Sequence, residues 1–470
     1  MAGKIRKGFA TYLLILFIAL VAAFLICVTI MLFSPFKNVL GFQYFFYEEE
    51  AYEYNVKGGT EGEIFDMSKI NEIKINCDYA KVTVERYEMV DNHAIKIVNK
   101  TKGFARDDQN TEFTYELSYE NGNTKILNVD VHEPEGFLYF SKNVTISILV
   151  PTSSSYALEN TKVNITNRSG NIYIGNNMEI TTLGNNYVNP NSVSIKTNSG
   201  KVVFNPFVDI AFNDIFIKSS KGNIDFANQI VAVNQFEIHS ISGNVNMEGL
   251  YFQNSTSNAV IDVGNSKFTC KNIEGNVLLS INNGYFNVEN IKGNVVSNDS
   301  NAQMGGATLN IKEITGVISF PFANKSMITI GEMKENSELY VHSTSGQVNI
   351  DEAYGKVYVE TYNGDVNINT YSNDLQVKTN SGDMNIVYNN TTIANQLDFY
   401  TVNGTIDLKI KSSLAFQLAV YDNELTLRKD GVNIDGIKGE FTNPFTVNGG
   451  DKKIVIISDG TVNLSLIEVA

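Results

Sequence analysis

The sequence holds four histidines, His93, His132, His239 and His342, and no two lie within five residues of one another. Zinc sites and helical general-base pairs need closer spacing, and no HExxH or related motif occurs. Cys77 and Cys270 stand far apart and read as small apolar strand residues with no disulfide expected between them; Cys27 falls in an apolar run. There is no G-x-S-x-G nucleophile elbow and no G-x-x-x-x-G-K-[ST] phosphate loop, and Gly305-Gly306 and Gly449-Gly450 read as turns.

Carboxylates are abundant, with 51 Asp and Glu against 36 Lys and Arg and a net charge of −15. That balance excludes a grip on nucleic acid built from basic side chains. Calcium is the cation to consider, but Gly364-Asp365 and Gly382-Asp383 bring one carboxylate each, while the other corners carry Gln347, Lys356 and Asn373. A closed site for a hard cation needs more charge, so no metal and no cofactor is expected. Asp351/Glu352 and Asp365/Asp383 are the nominal carboxylate pairs for cleaving a polysaccharide. Only five Arg are present, too few to neutralise an acidic sugar polymer, and these acids read as solvated corner residues. No catalytic residue is assigned.

Aromatic side chains are the better lead. Tyr173 and Tyr358 take outward positions of an alternating pattern, and Tyr362 and Tyr371 lie near its corners. Exposed Tyr beside Asn and Thr suits a sugar- or protein-binding surface, although Tyr is also ordinary cover for an outer sheet face.

The pattern that positions them is a repeat. A polar turn ending in Gly is followed by x-Φ-x-Φ, where Φ is apolar, as in Ser169-Gly170-Asn171-Ile172-Tyr173-Ile174. It returns after Gly200, Gly222, Gly243, Gly275 and Gly284. From 345 to 388 it beats every nine residues, at Gly346, Gly355, Gly364, Asn373 and Gly382. Period-two alternation puts Φ on one strand face, and one such segment cannot bury that face alone. Two segments back to back can, which predicts an all-β, single-stranded, β-helix-like solenoid with two strands per coil of roughly 18–22 residues. About a dozen coils between 160 and 410, stacked about 4.8 Å apart, make a rod of roughly 60 Å. Gly and Asn before each strand are expected to supply left-handed backbone at the corners. The 60 Asn residues are also expected to hydrogen-bond from coil to coil. Asn-Gly at 283–284, 363–364 and 403–404 leaves a β-sandwich or barrel of antiparallel hairpins as the alternative.

Ahead of the repeat, Phe9 to Phe33 carries no charge and follows Lys4, Arg6 and Lys7. About 25 helical residues span ~37 Å, enough to cross a membrane of ~30 Å, and the run is too long for a cleaved signal. The basic flank places the N-terminus in the cytoplasm and the bulk of the chain outside. Tyr44, Phe45, Phe46 and Tyr47 fit an aromatic collar, and Glu48-Glu49-Glu50 a solvated linker. The predicted order is a tail (1–8), a transmembrane helix (9–33), a juxtamembrane linker (34–62) and an N-terminal β-cap or irregular coils (63–155). The regular solenoid (156–410) and C-terminal capping coils (411–470) follow.

The Ile73-Lys74-Ile75 strand, the strand ending at Val150-Pro151 and the repeated Ser-Gly-x-Φ-x-Φ units resemble the toast-rack, or putative-adhesin, β-solenoids of bacterial envelope proteins, over about residues 70–465. The resemblance implies a non-enzymatic surface module, linked to adhesion or envelope-stress sensing, with no catalytic residues. The eight-residue tail here argues against direct signalling. The expected partners are the membrane, through a single-pass anchor, and cell-wall polymers or envelope proteins. The alternative is a carbohydrate-active β-helix enzyme.

Overall fold

In the coil at 338–353, Leu339 and Val341 are buried while Tyr340 and His342 face out; past the turn, Val348 and Ile350 are buried again. The next coil repeats this with Val357 and Val359, then Val366 and Ile368. Parallel pairing stacks Leu339, Val357 and Leu375 in one column, layer by layer, and Val348, Val366 and Met384 in another. The nine-residue beat is therefore one side of a coil, and both sides together advance it by one layer.

This is a computed structural model. It describes residues 2–33, 38–39, 42–53, 56–57, 64–65, 71–87, 94–106, 114–121, 125–132, 136–151, 162–175, 192–204, 210–252, 257–297, 305–372, 374–393, 397–428, 430–435 and 444–468. Two parallel sheets run through the stack. Sheet 1 climbs from Glu72–Cys77 through Lys162–Asn167 to Leu397–Thr401. Sheet 2 climbs from Lys81–Tyr87 through Ile172–Ile174 to Ile406–Lys411. Their inward residues form one continuous core, with Phe268 stacked on Phe286 at 5.3 Å and Phe204 on Phe226 at 4.7 Å. Each fully buried Ile, Leu or Val contributes about 1.5–3 kcal/mol, so every layer adds its own increment. The Asn-Gly pairs are corners between parallel strands, not hairpins.

The corners correct one expectation. Where sheet 1 passes to sheet 2, Gly200, Gly222, Gly364, Gly382 and Gly404 do not have left-handed backbone. They are glycines because the layers nearly touch there: a methyl group on Gly364 would sit 1.9 Å from the Gly346 carbonyl oxygen, and one on Gly382 2.0 Å from that of Gly364. At the opposite corner the expectation holds, since Gly275, Gly293 and Gly316 have φ of 147°, 146° and 143°. A buried hydroxyl three residues before the first corner satisfies its backbone. Thr361 Oγ1 donates to the Gly364 carbonyl at 2.7 Å, Thr379 Oγ1 to that of Gly382 at 2.8 Å, and Ser219 Oγ to that of Gly222 at 2.8 Å.

Sheet 2 strands bend. In Lys267–Glu274, Phe268, Cys270 and Ile273 are buried, so Lys271 and Asn272 both face outward. The same outward doublet recurs at 289–290, 312–313 and 351–352. This repeated bulge turns the chain and makes the outer surface of sheet 2 concave.

Both ends are finished by excursions. At the N-terminal end, Lys125–His132 and Gly136–Pro151 pair outside Glu72–Cys77 and Lys81–Tyr87. They are covered in turn by antiparallel Thr114–Asn121 and Ala94–Arg106. Within 34–62, expected to be a linker, Phe42–Glu53 is a strand antiparallel to Ala94–Arg106. The collar side chains Tyr44 to Tyr47 lie outside the described residues, as do Asn373 and the side chains of His93 and His132. At the other end, Lys453–Ser458 and Val462–Ile467 return to pair with Leu397–Thr401 and Ile406–Lys411. Phe416–Tyr421 and Val432–Asp435 lie outside them, and Phe445–Val447 pairs antiparallel on the former. Such covers stop an open parallel edge from recruiting another chain.

The helix Ala2–Phe33 precedes the stack. Its segment Thr11–Thr29 has a mean hydropathy of 2.9 and none of it is buried against the protein, so it is long and apolar enough to cross a membrane.

Candidate functional site

The four tyrosines singled out in the sequence do not meet. Tyr173 lies on the outer face of sheet 2 near the N-terminal end, with the Lys81 ammonium 4.9 Å from its ring. Tyr362 is exposed in the first corner, where its carbonyl accepts the Ser381 N–H at 2.9 Å. Tyr358 is on the outer face of sheet 1, and Tyr371 at the second corner.

Tyr358 and Tyr371 each gain a partner that sequence reading overlooked. Tyr340 is in register with Tyr358 one layer away, ring centroids 6.4 Å apart. Tyr354 stacks on Tyr371 at 4.8 Å and 9°. The coil period was the available signal, because each pair sits about one coil apart in the chain. Between the pairs runs the column Glu338, Lys356 and Asp374, with Lys356 Nζ 3.0 Å from Glu338 Oε1. Tyr340 Oη donates to Glu338 Oε2 and Tyr358 Oη to Glu360 Oε2, each at 2.9 Å. Burial and the neighbouring Glu360 push the Tyr358 phenol above its ordinary value, so it stays a neutral donor. Lys378 Nζ lies 5.9 Å from the Tyr358 ring centroid.

The acid pairs have other work. Asp365 Oδ1 accepts the Asp383 N–H at 3.0 Å, and Asp383 Oδ1 accepts the Thr405 N–H at 2.8 Å. These carboxylates tie successive corners together, as Asn171, Asn223 and Asn294 do elsewhere in the rod. Asp351 and Glu352 form an outward bulge doublet. Among the described residues no cluster of three or more His, Cys, Asp or Glu could hold a metal ion. Cys77 and Cys270 are free and buried, and burial pushes both thiols up to about 12.

One constellation was not foreseen. His239 on the outer face of sheet 1 lies between two carboxylates, with Nε2 2.5 Å from Glu237 Oε1 and Nδ1 3.0 Å from Asp262 Oδ2. Burial opposes its charge, but the hydrogen bonds it donates to Glu237 and Asp262, with the negative charge of both, outweigh burial and raise its pKa. Glu237 lies two residues away on the same strand face, and Asp262 one layer away. Only the 23-residue step between those layers could have shown the pairing.

The concave face of sheet 2 holds a long groove. Two adjoining cavities of about 810 and 710 Å³ share Thr329 and Asp351. Their floor is an in-register column running from Asn246 through Asn287, Asn310, Asn349 and Asn367 to Asn385, with Thr269 and Thr329 between them. The expected Asn ladder is here: Nδ2 of Asn310 donates to Asn287 Oδ1 at 2.7 Å, that of Asn367 to Asn349 at 2.8 Å, and that of Asn385 to Asn367 at 2.8 Å. One bank alternates in charge, as Glu248, Lys271, Glu289 and Lys312, with Lys271 Nζ 2.5 Å from Glu248 Oε2.

Among solved structures, the chain is similar to a putative cell adhesion protein from Clostridium sporogenes, at 9% identity and a TM-score of 0.17, over 90% of this chain and 100% of that one. It is also similar to a putative adhesin from Parabacteroides merdae, at 10% identity and a TM-score of 0.26, over 77% of this chain and 95% of that one. No curated protein matches it. Residues 70–313 and 291–465 match the family described as Toastrack DUF4097. These two overlapping stretches take in the coils and both sheets, and the chain belongs to the Toastrack DUF4097 family.

Proposed function

We propose that this protein is a membrane-anchored, non-enzymatic binding module of the cell envelope. Its N-terminal helix serves as an uncleaved single-pass anchor, and the rod stands on the outer side. The basic residues Lys4, Arg6 and Lys7 ahead of the apolar run support that orientation. The chain enters the rod at its N-terminal end, through Phe42–Glu53, which supports a reading in which the rod extends away from the membrane. The observation that carries the binding role is the two tyrosine pairs on adjacent coils, the tilted Tyr340/Tyr358 and the stacked Tyr354/Tyr371, set around a charged column. Paired rings with polar tips present rigid contact area at small entropic cost. Wall polymers and envelope proteins are the proposed partners. The use of Asp365 and Asp383 as corner acceptors supports the non-enzymatic reading.

The test incubates the full chain in nanodiscs with purified wall glycan and with a native envelope fraction. Co-sedimentation that Tyr358→Ala and Tyr371→Ala abolish, with no new reducing ends or unsaturated products, is the expected result. Released products would establish an enzyme instead. Protease accessibility on intact cells tests the orientation: an anchored outer rod is digested from outside.

A further inference from the structure

We infer that the groove on sheet 2 is a second binding site, separate from the tyrosine surface, and that it takes an extended, uncharged, hydroxyl-rich glycan chain. Three observations lead there. The floor is a ladder of neutral side chains at one per layer, about 4.8 Å apart, and it spans Asn246 to Asn385. The bank alternates acid and base, with Glu248 bound to Lys271, so the groove offers neither an anionic nor a cationic polymer a field of one sign. Thr269 Oγ1, set in that floor, is shielded and has no hydrogen-bond partner among the described residues.

The chemistry selects the ligand. An amide that spends one N–H and one lone pair on its ladder neighbours keeps another donor and another acceptor. Each Asn of the ladder therefore presents both kinds of group at the same height. A sugar hydroxyl is also both donor and acceptor, and it satisfies such a pair in either sense. A peptide backbone presents fixed donors and acceptors at about 3.4 Å per residue, which falls out of step with a floor repeating at about 4.8 Å. The concave wall made by the bulge doublets buries one side of the chain along its length. Rotation of Thr269 about χ1 exchanges its methyl for its shielded hydroxyl at the groove surface, where a seated ligand supplies the missing bond.

Calorimetry on the full chain in nanodiscs tests this with chitobiose and chitohexaose, both fully N-acetylated and so uncharged, a hexameric oligogalacturonate and an uncharged Ser/Thr-rich peptide. Chitohexaose should bind at least about tenfold more tightly than chitobiose, because it reaches several more floor residues, each worth about one hydrogen bond. Asn310→Ala should weaken chitohexaose about tenfold, and Thr329→Asn, which extends the ladder, should retain it. Tyr358→Ala should leave it unchanged, which separates this site from the tyrosine surface. If Asn310→Ala does not fold, Thr269→Val, which deletes one hydroxyl and none of the ladder bonds, gives the same reading at about threefold. Failure of chitohexaose to bind, tighter binding of the oligogalacturonate or the peptide, or full affinity in folded Asn310→Ala or Thr269→Val would each overturn the proposal.

Discussion

The outer faces of sheet 1 and sheet 2 belong to the same coils, yet their side chains are organised differently. On sheet 2 a single neutral residue type dominates one column and bonds to itself from layer to layer, as Asn349, Asn367 and Asn385 do. On sheet 1 the contacts are local and mixed: Tyr340 with Glu338, Tyr358 with Glu360, Lys356 with Glu338, and His239 with two carboxylates. A ladder shares its energy along the rod and makes a uniform surface. Charge pairs in solvent contribute little to stability and make a surface that differs from coil to coil and responds to pH.

The largest expected effect strikes the corner that both faces share. Gly364→Val places side-chain atoms against the Gly346 carbonyl, where even a methyl group would lie at 1.9 Å, and should cost about 4 kcal/mol or more in urea unfolding. Tolerance there would mean that the layers are not locked at this corner. Next, Asn367→Leu removes two ladder bonds and should cost about 1–3 kcal/mol. Lys356→Gln, on the opposite face of the same coil, should cost under about 1 kcal/mol. Equal costs would erase the distinction between the faces. Tyr371→Ala unstacks Tyr354 and should cost about 0.5–1.5 kcal/mol, with its main effect on partner binding.

The smallest effect is one of pH. His239 has a raised pKa, so its contribution is full below the unfolded-state value of 6.5 and fades as pH climbs through the folded-state value. The thermal midpoint should therefore fall slightly between pH 6 and pH 8.5, by the equivalent of under about 1 kcal/mol. His239→Gln should remove that slope, whereas Asn310→Ala on the other face should leave it. An unchanged slope in His239→Gln would show that the pairing contributes nothing.

Much of this was readable in residue order. The apolar pairs from Val348/Ile350 to Met384/Ile386 all turned inward, because alternation is a local property of the strand. Glycine positions were also legible, but not their cause. A Gly required by its own φ, such as Gly293, and a Gly required by the carbonyl of the next layer, such as Gly364, look the same in sequence. Buried hydroxyls such as Thr361 and Thr379 were missed because Ser and Thr before a turn suggest solvent. Tyr340 and Tyr354 were missed because their partners are neighbours only in the stack.

By itself the sequence determined the apolar helix, the alternation, the nine-residue beat and the neutral polar cover, all of which depend on spacings of a few residues. Tertiary structure alone decided which layer meets which. Val82 pairs with Ile172 across the N-terminal excursion, and Ile406 with Val462 across the C-terminal one. It also decided that the outward bulge residues would align into a groove. Neither result follows from periodicity, because loop-closure entropy grows only slowly with length, and a long insertion costs the stack little while displacing every later partner in the chain.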